Sequence, residues 1–136
     1  MPERWSEIPN VTLAYVSNEG ALHWTGVFVD VDSKTIEAYD PYIVPHMENC
    51  VMAAAHLDLA SRHARQRPMD FREWRIIPQS SAGRAKQTNS HDCGIFTLAW
   101  LALRSNGVVP EDMRHTQADM AAMRARMAAH IYRRCT

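Results

Sequence analysis

Apolar and polar positions along the chain fall into short stretches with two different periods. Val11 to Val16 is β-branched and aromatic, and Leu22 to Val31 repeats that character around Val27, Phe28 and Val29, so both read as strands. Asp32-Ser33-Lys34 supplies a turn. Thr35 to Tyr39 then returns as a third strand, ended by Pro41, which has no N–H to give to a sheet ladder. Asp40 therefore stands at a strand end. Met47 to Arg67 is rich in Ala, Leu and Met without an internal Gly or Pro, and predicts a helix with Val51, Ala55, Leu59 and Ala60 on its apolar side, stopped by Pro68.

Trp74 to Ile77 is a brief β-prone segment, and the polar run from Gln79 to Asp92 reads as a loop. Cys93 to Leu103 is apolar on nearly every face, as in a helix buried in the middle of a domain, with Gly107 offering a left-handed C-terminal cap. Thr116 with Asp119 resembles a capping box, and Met120, Met123, Met127 and Ile131 recur at helical spacing as a core-packing stripe. The order β-β-β-α-β-loop-α-α predicts an α+β fold, one domain over residues 1–136, with antiparallel strands packed against a central helix.

Composition narrows the function classes. Hydrophobic residues make up 46% and charged residues 22%, the balance of an ordinary globular domain. Fifteen basic residues offset fifteen acidic ones, so no net field favours nucleic acid or an anionic membrane. The basic runs Arg62 to Arg67 and Arg133-Arg134 read as solvated helix faces. The longest apolar run, Cys93 to Leu103, falls short of the roughly 20 residues that span a bilayer, so no membrane partner is expected. Three cysteines at wide spacing and no hydrophobic leader point to a reducing interior rather than a disulfide framework. No C-x-x-C or H-x-x-x-H ligand spacing occurs, so neither a metal nor another cofactor is expected.

Cys93 combines two features that suit a nucleophile. Unpaired N–H groups and the dipole at a helix start stabilise a thiolate, and Gly94 leaves no side chain over the sulfur. Taken alone, Cys93 reads first as an inert core thiol, His23 as a half-exposed strand residue, and Asp40 as an Asx turn before Pro41. His91 stands only two residues from Cys93 and is expected to point elsewhere.

The combination is more specific than its parts: His23-Trp24 opening one strand, Asp40 in a Tyr-Asp-Pro context ending the next, then Gln87-Thr88-Asn89-Ser90-His91-Asp92-Cys93-Gly94. That order resembles the catalytic signature of the SUMO-specific and related ubiquitin-like-protein proteases, a papain-like superfamily of cysteine peptidases, over roughly Val11 to Arg134. The resemblance implies Cys93 as nucleophile, His23 as base, Asp40 as its orienter and Gln87 as an oxyanion donor. It also implies Trp24 as one wall of a channel for a Gly-Gly tail, with Gly94 beside it. The implied partner is SUMO or another ubiquitin-like protein, in the nucleus or cytoplasm, or in a host cell's cytoplasm for a bacterial effector. Trp5, Trp74 and Trp100 have no place in the motif and read as packing residues.

Catalytic domains of that family carry, ahead of this region, a helical portion whose second tryptophan closes the channel. The chain is expected to start after it. The resemblance therefore implies a C-terminal catalytic portion, with apolar surface open to self-association or to a partner chain. A module that binds a ubiquitin-like protein without cutting it is the alternative function.

Overall fold

The computed structural model describes residues 12–20, 23–65, 68–80 and 86–135. Trp5, Val11, Leu22 and Arg67 lie outside them. Four strands, β1 (Thr12–Glu19), β2 (His23–Asp30), β3 (Thr35–Tyr39) and β4 (Arg75–Ile77), form one sheet in the order β1-β2-β3-β4. β1, β2 and β3 pair antiparallel, through Tyr15 opposite Val27 and Val27 opposite Ala38. β4 differs from the expectation of antiparallel strands. It pairs parallel to β3, because helix α1 (Met47–Arg65) carries the chain back before it enters the sheet.

The β2–β3 turn follows from its residues. Asp30 Oδ1 accepts the N–H groups of Asp32 and Ser33, and Lys34 takes the left-handed conformation that closes the hairpin. Central strands covered on both faces need apolar residues at every position, and β2 is buried from Thr25 to Val29. Val27, Val29, Ile36 and Ala38 face α1, where they meet Cys50, Ala53 and Leu57. Phe28 and Tyr39 face the other helix, α2 (Cys93–Ser105), and pack with Trp100, Leu101 and Met113.

The buried face of α1 is not the expected one. Val51 is 58% exposed and Leu59 68%, whereas Cys50, Ala53, Leu57 and Ser61 are buried. A helix that is Ala-rich all round can turn several faces to a sheet, and the small side chains here admit the closer approach. Trp100 and Trp74 pack as expected: Trp100 is fully buried and stacks on Tyr39 at 4.9 Å, and Trp74 is half-buried against Phe71.

α2 lies close to β2. A Cβ on Gly26 would stand 3.1 Å from Thr97 Cγ2 and 3.3 Å from Leu101 Cγ, and the Thr97 hydroxyl donates to the Trp24 carbonyl at 3.1 Å. At the far end of α2, Gly107 adopts φ +83°, and Val108 and Gly107 donate to the carbonyls of Leu103 and Arg104 in a Schellman cap. Arg104 forks onto Glu37 at 2.8 and 3.1 Å and covers Phe28, joining that end to β3. α3 (Met120–Cys135) begins after a 3-10 turn, where Thr116 N–H donates to Asp119 Oδ2 at 2.7 Å. Of its apolar stripe Met120 is buried, Met123 and Met127 line a cavity against α2, and Ile131 is exposed, so the expected core packing stops short of the helix end.

Candidate active site

Asp40 leaves β3 into a turn that its own chemistry shapes. Its Oδ1 accepts the Tyr42 N–H at 2.7 Å, an Asx turn, and its carbonyl accepts the Ile43 N–H. The same Oδ1 stands 2.8 Å from His23 Nε2. One carboxylate, nearly inaccessible to solvent, thus makes both an Asx turn and a hydrogen bond to His23. Nδ1 of His23 is left free of that pair, and the ring lies against Tyr42, stacked at 4.9 Å.

Two features of this corner have no counterpart in the sequence-level site. His46 Nε2 stands 2.6 Å from Asp40 Oδ2, so the carboxylate holds one histidine on each oxygen. The Tyr42 hydroxyl donates at 2.7 Å to the Asn89 carbonyl, in the segment that leads to Cys93. Only the return of the chain after Pro41 brings either residue to the site, and no spacing rule signals it.

The approach to Cys93 is ordered by two polar side chains. Asn89 Oδ1 accepts the N–H groups of His91 and Asp92, and Asn89 Nδ2 donates to Asp92 Oδ2 at 2.6 Å. Gln117 and Arg124 also donate to the Asp92 carboxylate. The hydrogen bond from Asn89, then those from Arg124 and Gln117, hold the Asp92 carboxyl below its ordinary range against the opposing effect of burial. The first bond of α2 runs from Phe96 N–H to the Asp92 carbonyl, which leaves the N–H groups of Cys93, Gly94 and Ile95 ahead of the helical ladder.

Cys93 is buried, yet it lines a cavity of about 510 Å³ with Val16, Trp24, Gly94, Ile95, Leu98, Ser90, His91 and Arg124. Trp24 is 41% exposed there, and a Cβ on Gly94 would meet its Cδ1 at 3.8 Å, an ordinary contact. His91 is among the lining residues too, with its ring largely exposed and 3.4 Å from the Asn89 amide nitrogen. His23 adjoins Trp24 in β2 and so reaches the same end of the sheet. Among the described residues the Cys93 thiol makes no hydrogen bond to the His23 ring.

Gln87 is drawn to this corner but turned inward. Its N–H donates to the Pro41 carbonyl at 2.7 Å, its side chain is 1% exposed, and its amide donates to Asn89 Oδ1 at 3.2 Å. Oε1 has no partner. Cys50, by contrast with Cys93, sits in the core under α1, where burial pushes its thiol up to about 11. Among the described residues no group of three or more His, Cys, Asp or Glu side chains is arranged to hold a metal ion, and no helix is long and apolar enough to cross a membrane.

Residues 3–136 match the model of the Ulp1 protease family, C-terminal catalytic domain. The chain belongs to the Ulp1 protease family. Ulp1-family proteins are cysteine peptidases. Solved structures agree on the α+β, papain-like core. The catalytic domain of the Chaetomium thermophilum Ulp1-like SUMO protease has a TM-score of 0.65 at 26% identity, over 87% of this chain and 44% of that one. The C-terminal Ulp1 protease domain in complex with Smt3, the yeast ortholog of SUMO, has a TM-score of 0.61 at 19% identity, over 83% of this chain and 48% of that one. A SUMO protease Ulp1 whose catalytic cysteine is oxidised to a sulfonic acid has a TM-score of 0.60 at 20% identity, over 83% and 49%. The chain thus spans about half the length of these structures. No curated protein matches the sequence.

Proposed function

We propose that this chain hydrolyses the bond after the C-terminal Gly-Gly of SUMO or another ubiquitin-like protein, with Cys93 as nucleophile. The observation that carries the reading is the His23–Asp40 hydrogen bond at 2.8 Å, in a chain of a cysteine peptidase family whose Cys93 starts a helix and lines a cavity with Trp24, the sequence neighbour of His23. His23 takes the thiol proton, and the thiolate attacks the carbonyl carbon. The tetrahedral intermediate collapses as His23 returns the proton to the leaving amine, which leaves a thioester. Water, deprotonated by His23, then releases the carboxylate and regenerates the thiol.

Asp40 keeps the imidazole in one tautomer and supports its positive form. The Cys93 N–H is one donor to the developing oxyanion, and Gln87 becomes the second once its amide leaves Asn89. Trp24 and the bare backbone of Gly94 would flank a tail too narrow for side chains. The Smt3 complex of the yeast Ulp1 domain supports SUMO as the modifier class.

A Gly-Gly-tailed electrophilic probe tests the reading. Covalent labelling at Cys93, lost in Cys93→Ala, is the expected result. Gln87, engaged with Asn89, favours a second reading in which the chain binds the modifier without cutting it. Binding of the modifier with no labelling of Cys93 would decide for that one.

A further inference from the structure

We infer that His46 is a positioning residue for the Asp40–His23 pair, acting through the second oxygen of the Asp40 carboxylate. The inference rests on the proposed thiol chemistry and adds a residue to it. Turning a carboxylate about its Cβ–Cγ bond moves both oxygens, so a bond on the second oxygen adds to the cost of any rotation that bonds on the first already oppose. Asp40 Oδ1 carries His23 Nε2 at 2.8 Å and the Tyr42 N–H at 2.7 Å, and Oδ2 carries His46 Nε2 at 2.6 Å. His46 is itself fixed from the main chain. Its N–H donates to the Pro78 carbonyl at 2.7 Å, and its carbonyl accepts the Cys50 N–H at the start of α1.

The segment between the two residues is built to return the chain. Ile43 adopts φ +59°, a left-handed conformation costly for a β-branched residue, and its N–H closes on the Asp40 carbonyl at 2.7 Å. His23 rather than His46 is the ring on the Cys93 side. His23 stacks on Tyr42, whose hydroxyl reaches Asn89, and it adjoins Trp24 in the cavity wall; His46 is bound into the β4–α1 side. The titratable groups facing the carboxylate are His23 from β2, His46 ahead of α1 and Tyr42 from the turn, with Tyr39 held neutral by burial.

The test is the rate of Cys93 alkylation by iodoacetamide on the full chain between pH 5 and 9, with peptide mass spectrometry locating the label and a melting temperature for each variant. It compares wild type, His23→Gln as the reference for loss of the base, His46→Leu, which has no donor, and His46→Gln, whose amide nitrogen reaches the place of Nε2. His46→Leu is expected to slow alkylation at pH 7 on the order of tenfold, the scale of one hydrogen bond to a charged group. His46→Gln should restore the wild-type profile to within a few-fold and remain folded even if His46→Leu does not. Wild-type rates in both variants would overturn the inference, as would faster alkylation in His46→Leu, which would mean that His46 competes with His23 for the carboxylate. A loss in His46→Gln as deep as in His23→Gln would make His46 the base and overturn it too. Failure of the underlying thiol chemistry is recognised separately, because wild-type Cys93 would then alkylate no faster than a thiol in the urea-unfolded chain.

Discussion

One carboxylate on the turn after β3 organises the proposed chemistry, and its neighbours decide how much each substitution costs. Asp40→Asn retains an acceptor for the Tyr42 N–H but loses the negative charge and the geometry offered to two imidazoles. Turnover of a Gly-Gly-tailed substrate is expected to fall by about a hundredfold or more with only a small change in melting temperature, the signature of an orienting carboxylate. Rates and melting curves measured on the same preparations check this; a loss of activity that tracks unfolding would make Asp40 structural. Cys93→Ala should abolish hydrolysis, whereas Cys50→Ala, in the core under α1, should lower stability and leave the chemistry of the folded protein intact. Mass spectrometry of probe-treated wild type and both variants separates the two thiols.

At the scale of elements, the site exists because α2 presses its first turn against the end of β2. Gly26 permits that approach: a methyl there would stand 3.1 Å from Thr97 and 3.3 Å from Leu101, so the helix would have to shift by a few tenths of an ångström. Gly26→Ala is expected to destabilise by about 1–3 kcal/mol, the range for overpacking, and to slow turnover further by moving Cys93 relative to His23. Denaturant melts alongside single-turnover labelling distinguish the two effects. The opposite end of α2 is held by the Arg104–Glu37 fork. Glu37→Ala leaves a guanidinium buried without its partner and should cost about 3–5 kcal/mol, whereas replacing both residues with apolar ones of similar volume should cost much less. Equal losses in the single and the double variant, measured by chemical denaturation, would count against this account.

For the molecule as a whole, the pattern of ionisable groups predicts two steps of acid weakening. His115 lies against Phe96 with both ring nitrogens unpartnered, and burial lowers its pKa below the ordinary 6.5, with Asp119 opposing. The unfolded chain therefore takes up this proton first, and stability falls as pH drops below about 6.5. Asp92 is shifted down from its ordinary 3.8 mainly by Asn89 and Arg124, so its contribution is complete above that value and is lost as pH falls below it. Asp58 and Asp70 are also lowered, but they lie on the surface and contribute little. Melting temperatures from pH 8 to 3 should show both steps, with His115→Phe removing the upper one and Asp92→Asn shrinking the lower. A single step unaffected by either substitution would refute the assignment.

The sequence alone determined the element types, since strand and helix periods, Pro41, Pro68 and Gly107 act within a few residues of themselves. It also determined the residues of the motif, because His23-Trp24, Asp40 and Gln87 to Gly94 are written as a linear pattern. Only the tertiary structure decided which face of α1 is buried, because an Ala-rich helix carries no strong preference and the sheet selects Cys50, Ala53 and Leu57 over Val51 and Leu59. The parallel entry of β4, the inward turn of Gln87 toward Asn89, and the placing of His46 on the second oxygen of Asp40 were decided there as well. Each depends on contacts between segments distant in sequence or folded back by a turn, and no local propensity encodes the direction in which such a segment returns.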